Sequence, residues 1–170
     1  MKFLFGLLVL LIWLLPGAAG AQFLSVQLEI PAEVETLVDR PLQFGTVISG
    51  GGLRRIPLGS QDMGVFRLRI LNTQQIIIEL QPSEEFTSTS PNSTSAIPFQ
   101  MDAAVTVGVN NYRQSRPLHP GQNMVAIEQP AQLRNPEWIN AFVYIFGAIE
   151  VGDIPEGVYT GEIVLTVFYE

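Results

Sequence analysis

Apolar and polar residues alternate along most of this chain beyond residue 22. From Phe23 to Ile30, Leu24, Val26, Leu28 and Ile30 fall on one face and Ser25, Gln27 and Glu29 on the other. A period of two predicts a strand with one buried side. Pro31 ends it, Arg40-Pro41 marks a turn before Leu42-Gln43-Phe44-Gly45-Thr46-Val47, and Gly50-Gly51-Gly52 predicts a second turn, because glycine tolerates positive φ. Leu53–Leu58 reads as a short strand, and Val65–Ile70 alternates with Arg67 and Arg69 outward. Gln75–Leu80 is β-branched and predicts a buried strand, whereas Gln81–Pro98 is rich in Ser, Thr, Pro and Asn and predicts a surface loop. Phe99–Val109 reads as a strand pair or one bent strand, Asn110–Gln122 as a loop, Val125–Glu128 as a short strand and Gln129–Pro136 as irregular. Trp138–Val151 is apolar on both faces, the mark of a central or covered strand. After a turn at Gly152–Gly157, the segment Val158–Glu170 places Tyr159, Gly161, Ile163, Leu165, Val167 and Tyr169 on one face. Seven to nine short strands and no helical period after Gln22 predict an all-β chain, an immunoglobulin-like antiparallel β-sandwich in one domain.

The first 21 residues break this pattern. Lys2 precedes an apolar run from Phe3 to Leu15 and a small-residue Ala19-Gly20-Ala21 step. That is the layout of a cleaved signal peptide, and at about 13 residues the run is shorter than the ~20 needed to span a bilayer. The expected mature chain is residues 22–170, secreted to a periplasmic or cell-surface location, with no transmembrane segment. Lys2 is the chain's one lysine, so the mature part sets eight arginines against sixteen acids. Such an acidic chain is a poor partner for nucleic acid or anionic lipid, where affinity comes from cations. There is no cysteine, which excludes disulfides, zinc–thiolate sites and thiol nucleophiles. Without lysine after the leader, Schiff-base chemistry and a P-loop are excluded as well.

Catalytic signals are sparse. His119 is the single histidine, between Pro117 and Pro120, and no Gly-x-Ser-x-Gly elbow accompanies it. Glu84-Glu85 lies in a polar loop, and Asp153 and Glu156 flank a turn without the spacing of a twelve-residue calcium loop. Gly50-Gly51-Gly52 lacks the spacing of a phosphate cradle. Asn92-Ser93-Thr94 has the form of a glycosylation acceptor, and Tyr112, Trp138, Tyr144 and Phe146 could form an aromatic sugar platform or simply core. No enzyme, cofactor or metal is expected from these residues.

The C-terminal strand carries more information. A glycine at 157, the alternation through Tyr159, Gly161, Ile163, Leu165 and Val167, and the penultimate Tyr169 resemble the C-terminal signature of chaperone–usher pilus subunits. With Leu42-x-Phe44-Gly45-Thr46 and the Val151-Gly152 step, the stretch Gln22–Glu170 resembles the domain of unknown function 4402 family of secreted bacterial proteins. The resemblance implies a pilin-like fold, and partners that are copies of itself or related subunits and a periplasmic chaperone. Pilus subunits commonly carry a disulfide near their first strands, which this chain lacks. It further implies a fimbrial, adhesive subunit joined by strand addition, with Leu24, Val26, Leu28 and Ile30 as donor strand or as the domain's own first strand. The other reading is a stand-alone secreted binding domain, holding a glycan or protein through loops 81–98 and 110–122.

Overall fold

A computed structural model describes residues 34–71, 76–118 and 137–169, all within a unit running from Ala32 to Glu170. Its strands are β1 (Glu35–Arg40), β2 (Gly52–Ile56), β3 (Gly64–Leu71), β4 (Ile76–Pro82), β5 (Glu85–Ser88), β6 (Ala96–Val107), β7 (Arg116–Leu118), β8 (Trp138–Val151), β9 (Tyr159–Thr160) and β10 (Ile163–Tyr169). The larger sheet has the order β1-β3-β8-β6-β5-β9, with β2 beside the later half of β8 and β7 beside β6; β10 and β4 form a second, two-stranded sheet. Every pairing is antiparallel. The sheets form a curled, sandwich-like arrangement, the all-β class expected from the alternation.

β8 is central because its sequence has no polar face. Ala141, Val143, Ile145 and Ile149 join Leu68, Ile70, Met101, Ala103, Val105 and, from the second sheet, Ile76, Ile78 and Leu80 in one buried cluster. On its other face Phe142, Tyr144 and Ala148 are also buried. The Tyr144 hydroxyl donates to Asn110 Oδ1 at 2.8 Å, and Tyr112 packs against Gly59, so the loops carrying these residues meet where the sheet would otherwise be bare. Burial pushes the Tyr144 phenol above its ordinary pKa, partly opposed by a hydrogen bond with the Asn111 backbone. The folded protein therefore binds this proton more tightly than the unfolded chain. Stability from this group is complete below about pH 10 and falls above it. Thermal melts of Tyr144→Phe should lose about 1 kcal/mol at neutral pH and show a shallower alkaline decline than the parent. An alkaline limb unchanged by the substitution would assign the decline to other tyrosines.

Several local expectations are corrected. The stretch Gln81–Pro98 is not a single loop: β5 and the start of β6 lie within it, and 89–95 forms the hairpin tip. Asn110–Gln122 contains a 3-10 turn at Tyr112–Gln114 and then β7, which among the described residues pairs only with β6. Such an edge strand tolerates Pro117 because a proline can turn its donor-less side away from the ladder. Of the two alternatives for Phe99–Val109, a single strand holds as far as Val107, with 108–109 beyond its end, and Val158–Glu170 divides into β9 and β10. β1 had no signal, since almost all of its side chains are exposed and nothing forces an alternation. Val125–Glu128 and His119 lie outside the described residues.

Candidate functional site: an open sheet edge

From Val158 onward the chain borders both sheets. Thr89 N–H donates to Val158 O at 2.8 Å, and β9 then pairs with β5 through Thr160–Thr87 and Tyr159–Ser88. At Gly161-Glu162 the strand steps across: Ser83 N–H donates to Glu162 O at 2.8 Å, and Glu162 N–H donates to Ser83 Oγ at 2.9 Å. A Cβ at Gly161 would stand 3.3 Å from the Phe86 ring, so glycine lets the step pass that side chain. β10 then pairs with β4 over its full length, from Ile163–Pro82 to Tyr169–Ile76.

Among the described residues β10 has one neighbour, β4, and no strand pairs with its other edge. Its inward row is correspondingly incomplete: Ile163, Leu165 and Val167 touch the core but are only half-buried, whereas the β4 residues Ile76, Ile78 and Leu80 of the same sheet are buried. The edge itself is Ile163-Val164-Leu165-Thr166-Val167-Phe168-Tyr169, without charge, proline or glycine. β1, at the end of the larger sheet, is built differently. It carries Glu35, Asp39 and Arg40, a register shift between Val38 and Arg40, and ion pairs Glu35–Arg69 and Asp39–Arg67. Charges and bulges discourage edge-to-edge pairing, so β1 is protected and β10 is not.

Beside β9 a cavity of about 670 Å³ opens between segments 42–49 and 154–160. Its apolar floor includes Phe44, Phe86, Ile97 and Ile149. Phe44 meets Phe86 and Phe99 edge-on at 5.7 and 5.9 Å between ring centres. The two segments are clamped at one end, where Gly50 N–H donates to Gly152 O at 2.7 Å and Ser49 Oγ donates to Asp153 Oδ1 at 3.2 Å and accepts from Ile154 N–H at 2.9 Å. Asp153 thus serves the turn. What this border offers chemically is main-chain donors and acceptors beside apolar surface.

The structure brings Tyr159, Gly161, Ile163, Leu165, Val167 and Tyr169 onto this one border, with Gly157 exposed at its start. Tyr159 is half-buried, and its hydroxyl donates to Pro155 O at 2.9 Å. Leu24, Val26, Leu28 and Ile30 lie outside the described residues. The four aromatics of the imagined sugar platform are not gathered: Tyr144 is buried, while Trp138 is exposed at the start of β8, under the Arg69 guanidinium at 5.2 Å. Asn92 is exposed on the β5–β6 hairpin tip. Among the described residues no cluster of three or more His, Asp or Glu side chains could hold a metal, and no helix is long and apolar enough to cross a membrane. Sequence reasoning missed the cavity. Its signal was Phe86, a lone aromatic in a Ser/Thr-rich stretch, with Phe44 in a segment lacking alternation. No family model matches the chain, and no curated protein matches it.

Proposed function

We propose that this chain is a non-enzymatic secreted structural or adhesion protein, a pilin-like surface subunit that associates by β-strand addition. One observation carries the reading: a seven-residue apolar edge, uncharged and unbulged, bonded on one side among the described residues and with its inward row half-covered. An added strand would satisfy the outward N–H and C=O groups of β10, and its alternate side chains would complete the core. Leu24, Val26, Leu28 and Ile30 of another copy have the period such a strand requires. A periplasmic chaperone would use the same edge before assembly, and the leader-like residues 1–21 fit that export route.

Deleting residues 22–30 from the mature chain tests this. The expected result is that full-length mature protein associates in sedimentation experiments, whereas the truncated protein is a monomer that binds a synthetic peptide of residues 22–30. A mature protein that stays monomeric at high concentration and ignores the peptide would overturn the proposal.

A further inference from the structure

The open edge of β10 is complementary to itself. Opposed residues of an antiparallel pair lie on the same face, so two copies of one strand can meet only with a residue at the two-fold axis. The middle of Ile163–Tyr169 is Thr166. Centred there, Val164 of each copy falls opposite Phe168 of the other, Leu165 opposite Val167, and Thr166 opposite Thr166. An aromatic beside a β-branched residue and Thr beside Thr are favourable cross-strand pairs. Moving the axis to Leu165 or Val167 shortens the ladder by two residues and sets Thr166 against Val164 or Phe168. Sequence therefore selects one register.

Charge does not oppose that register within the ladder. Glu79 of β4 stands opposite Thr166 in its own chain, so the two copies' Glu79 would be three strand spacings, roughly 14 Å, apart, beyond the ~8 Å reach of charge at physiological salt. Glu162 and Glu170 flank the strand, and the register sets one against the other at both ends, so pairing tightens as salt screens them. We infer that two copies of this chain pair β10 to β10 about Thr166, closing a four-stranded sheet β4-β10-β10-β4. The contact is isologous and stops at two copies. Seven residues a side is fewer than the ~20–30 of a stable interface, so the dimer forms at higher concentration than a peptide titration uses. It occupies the edge that strand addition needs, so each excludes the other, and the pairing stands or falls independently of that reading.

The chain has no cysteine, so single thiols report the register. In the inferred dimer the two Thr166 Cβ atoms are about 5 Å apart, whereas the two Val164 positions are four residues out of step, about 14 Å. Thr166→Cys and Val164→Cys in the full mature chain, mildly oxidised and read by non-reducing electrophoresis, test the pairing. The expected result is at least tenfold more linked dimer from Thr166→Cys, rising with protein and salt concentration, and linkage regained when Val164→Cys is mixed with Phe168→Cys. Copies already holding an added strand cannot link, so the thiols are also placed in a chain carrying Val26→Asp; if circular dichroism shows that chain unfolded, the parent background decides. Equal yields from Thr166→Cys and Val164→Cys would overturn the register and the pairing with it. A peptide of residues 22–30 that binds while Thr166→Cys forms no dimer would overturn self-pairing and leave strand addition standing. Dimer that forms while the peptide never binds would support self-pairing and sink strand addition.

Discussion

Gly147→Ala is expected to destabilise the folded domain severely. Gly147 lies in β8 opposite Met101 of β6 and Ile56 of β2, at the place where the neighbour of β8 changes from β3 to β2. Its φ of +149° is a conformation that side chains with a Cβ rarely adopt. A Cβ there would overlap the carbonyl oxygen of Gln100 and stand 3.2 Å from Met101 Cα. Both are backbone in the central ladder, so neither can swing aside. Strain and clash together should cost about 4 kcal/mol or more, a large part of the stability of a domain this size. Urea unfolding followed by circular dichroism checks it. A Gly147→Ala protein with the parent's midpoint would mean that β6 and β8 do not approach as described. Gly157→Ala is the comparison, because no backbone crowds that exposed position and its φ is ordinary.

Leu165→Asp should be the second most damaging change. Leu165 pairs with Leu80, in the row that touches the core beside Ile163 and Val167. Half-burial lets a carboxylate reach water in part, so the expected loss is about 2–3 kcal/mol rather than that of a fully buried charge. For a domain of this length that lowers the melting temperature by roughly 5–10 °C. The neighbouring Val164→Asp faces outward and should change stability by no more than about 0.5 kcal/mol. If the two variants melt alike, the inward face of β10 is misassigned. Leu165→Asp should also stop the protein binding the peptide of residues 22–30, since the charge would face the added strand.

Local pattern determined a good deal. Trp138–Val151 has no polar face, so only a strand covered on both faces could satisfy it, and β8, between β3 and β6 in the sheet, has buried side chains on both faces. The alternation in Val65–Ile70 placed Arg67 and Arg69 outward, where they pair with Asp39 and Glu35. Period two along Tyr159–Tyr169 likewise put Ile163, Leu165 and Val167 on one side. These features are set by each segment's own sequence, because burial of one face is a local property of the strand.

Other features were decided only by the tertiary structure. β1 has no legible signal because an exposed edge strand is under no demand to alternate, and its place comes from pairing with β3. β5 and β7 hide in polar, proline-bearing stretches and become strands because β6 offers them a ladder. The step at Gly161-Glu162 depends on Ser83 and Phe86, more than seventy residues earlier. The half-covered edge of β10 is likewise invisible in sequence: alternation says which side chains face inward, but the number of neighbours a strand has is a property of the whole sheet.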